Sequence, residues 1–224
     1  MDIRAVIFDR DNTLVRFDPA AVAVLEARLA AAAPELPPSA AAAHWEAWPG
    51  PWPRSVDDEP AFWRAFWGQL AARYTLADAT VVALLEIGAF YHTCFTSFTD
   101  AAPCLRLLRA HGLHLAVLTN FELPSIDQTL RNAGLNPAWF TALLSSAAIG
   151  VYKPNPSAYF AAAAALALDP GQCAFVDDLP ENVTAACAIG MRGILLDRAR
   201  VHTSGTIERV DDLHGLIALL AMPR

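Results

Sequence analysis

The chain has 224 residues, a formal net charge of −7 and a hydrophobic content of 55%. This length can bury one substantial core and leaves room for a modest insertion or a second small domain, while no uninterrupted apolar run approaches the roughly 20 residues that a membrane-spanning helix needs. The acidic balance, with no dense cluster of Arg or Lys, argues against nucleic acid as a partner, and we expect no membrane partner either.

The start of the chain and its cysteines bear on the cellular compartment. Met1–Arg4 leads directly into the apolar run Ala5–Phe8, without the basic stretch, long apolar core and small-residue cleavage site of a secretory signal. We therefore expect a cytoplasmic protein. The four cysteines show no CxxC pair and no ligand spacing with His, which predicts buried free thiols instead of a zinc site or disulfides. They are Cys94, Cys104, Cys173 and Cys187.

Apolar runs and amphipathic patterns alternate along most of the chain. Five short runs have the length and bounds of buried parallel strands: Ala5–Phe8, Leu113–Leu118, Thr141–Leu144, Cys173–Val176 and Gly193–Leu196. Helical patterns lie between them: Ala101–Ala110, Ser125–Ala133, Pro156–Leu166 and Glu181–Ile189. This alternation predicts the α/β class, with a Rossmann-like parallel sheet covered by helices on both faces.

The segment from about Phe17 to Phe98 interrupts the alternation. It contains no convincing strand but has three helical patterns, joined in part by the Pro- and Trp-rich connection Trp48–Pro53. That connection cannot be helical, because each Pro lacks an amide donor and restricts the residue before it. We predict an inserted α-helical cap domain at residues 17–97, with an α/β core domain formed by residues 1–16 and 98–224. Five tryptophans in this segment are expected to pack its core and its seam with the sheet domain: Trp45, Trp48, Trp52, Trp63 and Trp67.

Polar residues directly follow three of the apolar runs. In a doubly wound parallel sheet, ligands bind beyond the carboxyl ends of the strands. Asp9 and Asp11 follow the first run, Thr119 and Asn120 the second, and Asp177–Asp178 the fourth. Carboxylates gathered at one edge repel each other unless a positive charge lies among them. Mg²⁺ is the natural cation, since it takes oxygen ligands and binds through a few carboxylates plus a substrate phosphate.

Four segments together resemble the haloacid dehalogenase superfamily, subfamily I with a helical cap, phosphatase branch. They are FDRDNTLV (residues 8–15), LTN (118–120), VYKPNPSAY (151–159) and FVDDLPENV (175–183). The resemblance runs from Val6 to about Leu196, with an insertion where that subfamily carries its cap. A single DxDxT motif is moderately specific, whereas four motifs in this order and spacing are a strong signal.

The resemblance implies a role for each matching residue. Asp9 would attack phosphorus and form an aspartyl-phosphate, which splits one difficult displacement into two easier ones. Asp11 would protonate the leaving oxygen and then activate the hydrolytic water. Thr119, with backbone amides near Asn120 and after Asp9, would bind the phosphoryl oxygens, and Lys153 would neutralise charge between the nucleophile and the phosphate.

The resemblance also implies a Mg²⁺ cofactor. Asp178 would be a direct ligand together with Asp9 and the backbone carbonyl of Asp11, while Asp177 and Asn182 would support it. We expect a Mg²⁺-dependent phosphoric monoester hydrolase that acts on a small phosphorylated metabolite.

Three other functions stay open. A 2-haloacid dehalogenase would share the fold and the aspartyl nucleophile, but that branch lacks an acid at the position of Asp11. A phosphomutase is disfavoured because its DxDG pattern is altered at Asn12, where Asn tolerates the left-handed backbone usually provided by Gly. A non-catalytic binding module is disfavoured because the nucleophile, the acid, Lys153 and the metal carboxylates are all retained.

Each motif also has a purely structural alternative. Asp9 and Asp11 could occupy a turn, and Asp177 or Asp178 could cap the helix that follows. Asp197 also ends an apolar run but belongs to no motif, so we expect it in a surface turn.

Overall fold

Eight strands form within residues 2–88, 91–202 and 207–220, which are the residues that the computed structural model describes. They are β1 (Ala5–Phe8), β2 (Val15–Phe17), β3 (Phe95–Ser97), β4 (His114–Thr119), β5 (Ala142–Ser145), β6 (Cys173–Asp177), β7 (Arg192–Leu196) and β8 (Glu208–Val210). Six of them form one parallel sheet in the order β5-β4-β1-β6-β7-β8. The other two, β2 and β3, pair antiparallel as a separate ribbon.

Ten α-helices accompany these strands in the same described residues. They are α1 (Pro19–Ala32), α2 (Ala40–Glu46), α3 (Glu59–Tyr74), α4 (Asp78–Gly88), α5 (Ala101–Ala110), α6 (Ile126–Asn132), α7 (Ser146–Ile149), α8 (Pro156–Ala165), α9 (Pro180–Ala188) and α10 (Leu213–Leu219). None of the helices described is both long and apolar enough to cross a membrane.

The central strand β1 is buried on both of its faces. Val6 and Phe8 contribute to one apolar cluster, with side chains of α5, α6 and α10, whereas Ala5 and Ile7 contribute to a second cluster with side chains of α8 and α9. This division follows from the two-residue period of a strand, which sends alternate side chains to opposite faces. The predicted parallel sheet covered on both faces is confirmed.

The predicted elements of the α/β part agree with the structure to within one or two residues at each end. Four further elements, β2, α7, β8 and α10, were not predicted. In β8 only Val210 is buried, whereas Glu208 and Arg209 are exposed, so the strand lacks the apolar run on which the prediction depended. Three of the cysteines are buried as expected, but Cys187 is exposed.

The segment predicted to lack strands differs from the prediction in two ways. It contains the strand β3 and four helices, α1 to α4, instead of three. A three-residue strand is too short to show a period in the sequence. The Trp- and Pro-rich connection lies outside the helices, as predicted. The division into a core and a cap at residues 17–97 stays a prediction.

The tryptophans of this segment pack as expected. Trp67 is buried in a cluster with Phe62, Phe66 and Leu70 of α3, and the other four are partly buried against it. Phe121 and Leu123, which follow β4 of the main sheet, belong to the same cluster. The aromatic side chains therefore join the helices α1 to α4 to the loop at the carboxyl end of β4.

Candidate active site

Asp9 stands at the carboxyl end of the central strand. Its N–H continues the β1–β6 ladder by donating to the carbonyl of Val176 at 2.8 Å, and the residue is only 6% exposed. The Lys153 ammonium lies 2.6 Å from Asp9 Oδ1. Burial raises the pKa of Asp9 to about 7; Lys153 opposes this rise, and the carboxylates of Asp177 and Asp11 add to it.

Lys153 bridges two carboxylates. Besides Asp9, its Nζ donates to Asp177 Oδ2 at 2.7 Å. Burial alone would lower the pKa of Lys153, but the charges and hydrogen bonds of Asp9 and Asp177 raise it above its ordinary value. The backbone of Lys153 is held as well, because Asn120 Nδ2 donates to its carbonyl and its N–H donates to Asn120 Oδ1, both at 2.8 Å. Asn120 thus positions the lysine by its main chain.

Asp177 is enclosed and hydrogen-bonded at both oxygens. Its Oδ1 accepts from the N–H of Leu179 at 2.8 Å, and Asn182 Nδ2 lies 3.1 and 3.0 Å from Oδ1 and Oδ2. Asp178 is half-buried and accepts a hydrogen bond from Asn12. Burial, with the nearby charge of Asp177, raises the pKa of Asp178. The two adjacent aspartates therefore have different environments, and only Asp177 contacts the lysine.

The Asp11 side chain pairs with Arg10, a contact that the sequence analysis did not anticipate. Arg10 Nε and Nη2 donate to Asp11 Oδ1 and Oδ2 at 3.1 and 2.7 Å. Arg10 is 1% exposed, and its guanidinium lies 3.9 Å from the ring centroid of Phe121. This bidentate contact orients the Asp11 carboxylate. A DxD motif leaves its middle position unspecified, so the motif does not indicate this role.

The turn after Asp11 has the backbone that the sequence predicted, since Asn12 has a φ of 56°. A second unexpected arginine supports this turn from outside. Arg198 donates to the carbonyls of Asn12 and Thr13 at 3.3 and 2.9 Å, and Asp100 holds Arg198 through two hydrogen bonds of 2.8 and 3.0 Å. The geometry of the DxDNT segment therefore depends on residues that are distant in the sequence.

Asp197 was expected in a surface turn, and the structure confirms the turn but not the surface position. It accepts hydrogen bonds from the backbone N–H groups of Val201 and His202, so it does cap a turn. It is only 3% exposed, however, and therefore does not lie on the surface.

Thr119 is the last residue of β4 and is 1% exposed. Because β1, β4 and β6 are neighbours in one parallel sheet, Asp9, Thr119 and Asp177 lie at the same edge. The structure thus gathers the predicted residues in two groups. Lys153 contacts Asp9, Asp177 and Asn120 directly and is linked to Asn182 through Asp177, while Asp11 and Asp178 have other partners.

The oxygen atoms at this edge fit a hard divalent cation. Burial is the main cause of the raised pKa values of Asp9 and Asp178, and a bound cation would oppose this rise. In the described part of the chain, no group of three or more His, Cys, Asp or Glu side chains is arranged to hold a metal. Two carboxylates and one backbone carbonyl remain a suitable set, since Mg²⁺ commonly keeps several waters and takes few protein ligands.

Comparison with known proteins agrees with this geometry. A family model described as haloacid dehalogenase-like hydrolase matches residues 3–190. The chain is also 31% identical over 225 residues to Phosphatase MT3486 of Mycobacterium tuberculosis (strain CDC 1551 / Oshkosh), an alignment that covers 98% of each chain. The chain belongs to the haloacid dehalogenase-like hydrolases. The family predicted from the four motifs is thereby confirmed, and with it the prediction of an enzyme.

This hydrolase also resembles dehalogenases. It is 36% identical over 101 residues to (S)-2-haloacid dehalogenase of Pseudomonas sp. (strain YL), over 45% of this chain and 43% of that protein. The crystal structure of a 2-haloacid dehalogenase from Pseudomonas syringae pv. Tomato DC3000 superposes with a TM-score of 0.72 at 24% identity over 98% of both chains. The crystal structure of a HAD phosphatase from Thermococcus onnurineus superposes with a TM-score of 0.67 at 20% identity, over 99% of this chain and 100% of that one. At these identities the two structures support the fold alone.

Proposed function

We propose that this hydrolase is a Mg²⁺-dependent phosphatase that cleaves a small phosphorylated metabolite through an aspartyl-phosphate. The observation that carries the proposal is a buried Asp9 fixed by Lys153, with a second carboxylate, Asp11, two residues further on and free of the lysine. The similarity to Phosphatase MT3486 along the whole chain supports it. A panel of phosphorylated metabolites, assayed for phosphate release with Mg²⁺ present, tests the reaction and identifies the substrate class.

In the first step, an Asp9 carboxylate oxygen attacks phosphorus and the bond between phosphorus and the ester oxygen breaks. Asp11 gives its proton to the departing oxygen. Lys153 holds Asp9 Oδ1, which leaves Oδ2 as the attacking atom. Thr119 and the loop amides near Asn120 hold the phosphoryl oxygens of the bound ester.

In the second step, Asp11 takes a proton from water, and the water oxygen attacks phosphorus. The acyl-phosphate bond then breaks, which releases phosphate and restores the Asp9 carboxylate. Arg10 keeps the ionised Asp11 carboxylate in position for this proton transfer. The helical segment 17–97 acts as a cap that excludes bulk water and selects the leaving group. We also propose that the enzyme is cytoplasmic.

Mg²⁺ would be held by Asp9, Asp178 and the Asp11 carbonyl, and it would neutralise the charge of the carboxylates and of the bound phosphoryl group. Asp177 is unsuited as a direct ligand, because both of its oxygens already accept hydrogen bonds.

We expect chelation to silence the enzyme. Hydrolysis of an aryl phosphate should need added Mg²⁺ and disappear in excess EDTA, because Lys153 alone cannot balance Asp9, Asp177, Asp178 and a phosphoryl group. Phosphate release is measured before chelation, in EDTA and after Mg²⁺ is restored. Full activity in EDTA would contradict the metal requirement.

A 2-haloacid dehalogenase is the second candidate, favoured by the local similarity to the Pseudomonas sp. (strain YL) enzyme. We expect halide release from 2-haloacids to be much slower than phosphate release from the best substrate. Asp11 suits proton transfer to an alkoxide, a task that is absent when halide departs. Ion-selective halide measurements with and without Mg²⁺ check this, and faster, metal-independent halide release would reverse the ranking. A phosphomutase or a binding module would instead give no net phosphate release.

A further inference from the structure

Four buried polar side chains form a hydrogen-bonded chain between the helices α3 and α6. Ser125 N–H and Oγ lie 2.8 Å from Glu59 Oε1 and Oε2. His92 Nε2 lies 3.0 Å from Ser125 Oγ, and His92 Nδ1 lies 2.8 Å from Thr129 Oγ1. All four residues are at most 7% exposed. We call Glu59, Ser125, His92 and Thr129 the Glu59 relay.

An ionised Glu59 would determine the direction of every hydrogen bond in the relay; burial raises the pKa of Glu59, and the hydrogen bonds from Ser125 oppose this rise. An ionised Glu59 can only accept, so it takes both the N–H and the hydroxyl proton of Ser125. Ser125 Oγ must then accept from His92 Nε2–H. The other ring nitrogen, Nδ1, carries no proton and accepts from the hydroxyl of Thr129. His92 is neutral in this scheme, and burial together with the Arg10 charge lowers its pKa to about 4, against the opposing charge of Asp127.

The relay includes Ser125, the last residue of the loop that carries the proposed phosphate-binding residues. This loop, residues 119–125, is defined here as the phosphate loop. Asn120 ties its beginning to the Lys153 backbone, and Phe121 and Leu123 are buried in the aromatic cluster of α3. Glu59 is the first residue of α3 and binds the last residue of the loop. The loop is therefore fixed at both ends and from one side, and Glu59 is the acidic group at its far end.

We propose that ionised Glu59 is a positioning residue that fixes the phosphate loop to α3 through Ser125 and sets His92 as its Nε2–H tautomer. The kinetic part of this inference rests on the proposed phosphatase function. The tautomer part does not depend on that function.

Glu59→Gln tests the inference because a side chain of the same shape can reverse the direction of the hydrogen bonds in the relay. In this variant the side-chain amide oxygen would still accept from the N–H of Ser125, but the amide nitrogen would donate to Ser125 Oγ. The Ser125 hydroxyl would then donate to His92 Nε2, and His92 would carry its proton on Nδ1 and donate to Thr129. The substitution changes no residue that touches His92 directly.

We expect ¹⁵N NMR of the full-length protein at pH 7, with the His92 ring assigned through bonds to its backbone, to show the Nε2–H tautomer in the native protein. The Nδ1–H tautomer should appear in Glu59→Gln. A charged ring or Nδ1–H in the native protein would overturn the inference, as would an unchanged tautomer in Glu59→Gln.

Steady-state kinetics test the positioning role. We expect Glu59→Ala to raise KM for the best phosphorylated substrate about tenfold, with kcat within about twofold, because a displaced phosphate loop loses contacts made equally to substrate and transition state. Glu59→Gln should restore most of the native KM. The matched control is Glu86→Ala, which removes an exposed carboxylate from α4 and should leave KM unchanged.

An unchanged KM in Glu59→Ala would remove the positioning role, and so would an equal rise in Glu59→Gln and Glu59→Ala. If Glu59→Ala does not fold, the inference is tested by comparing the His92 tautomer in Glu59→Gln with that in the native protein. If no phosphoester is hydrolysed, the proposed function fails while the NMR result still decides the relay.

Discussion

Asp9→Asn is expected to lower phosphatase turnover by on the order of 10⁴-fold or more, since an amide cannot attack phosphorus in place of the carboxylate. The protein should stay folded, with an unchanged or higher Tm. The reason is that Asp9 is a buried carboxylate whose ionised form is disfavoured by burial and by the charges of Asp177 and Asp11. An amide of the same shape avoids that cost, and Lys153 keeps Asp177 as a partner.

The measurements are phosphate release, thermal unfolding and mass spectrometry of acid-quenched enzyme, which should place phosphate on the peptide containing Asp9 in the native protein alone. Asp127→Asn is the matched control, because Asp127 is a partly exposed carboxylate on α6 whose paired cation, Arg131, is 3.6 Å away. Native rates in Asp9→Asn, or phosphate trapped on another peptide, would exclude Asp9 as the nucleophile.

Lys153→Arg is expected to lose on the order of 10²-fold in turnover although the formal charge is unchanged, comparable to removing one preorganised donor. Lys153 is the only lysine in a chain with 15 arginines. Its ammonium fits between Asp9 Oδ1 and Asp177 Oδ2 at 2.6 and 2.7 Å in a nearly closed space. A planar guanidinium is too broad for two such short contacts and would displace Asp9 from its line of attack.

Lys153→Met should be worse in both activity and stability, because two buried carboxylates would then face each other without a cation. Breaking a buried ion pair by removing one partner typically costs about 3–5 kcal/mol, so a clear fall in Tm should accompany the loss of turnover. Arg131→Met, which removes an exposed cation from α6, is the control. Near-native kinetics in Lys153→Arg would show that charge alone is sufficient, and near-native kinetics in Lys153→Met would take Lys153 out of the active site.

The sequence predicted the longer strands of the sheet but not the shortest strands. Strands β1, β4 and β6 were predicted because each is a continuous apolar run, and burial on both faces of a parallel sheet requires such a run. In contrast, β2, β3 and β8 have only three residues each. Their formation depends on pairing with a neighbour and not on a local pattern.

The candidate site shows the same contrast. Asp9, Lys153 and Asp177 could be selected because they follow apolar runs or lie in recognisable motifs, and the structure connects these three directly. Arg10 and Arg198 could not be selected, because the sequence does not indicate which group each of its many arginines contacts. Only the folded chain brings Arg198 to the carbonyls of Asn12 and Thr13.

The sequence by itself determined the parallel sheet, the family and the residues at the carboxyl ends of its strands, because hydrophobic period and motif spacing are local properties of the chain. The tertiary structure alone decided the partners of those residues. It assigned Asp11 to Arg10, separated the environments of Asp177 and Asp178, and joined Glu59 to Ser125 across 66 positions. Such contacts depend on how layers pack, and a buried polar group must find its partner wherever the fold places one.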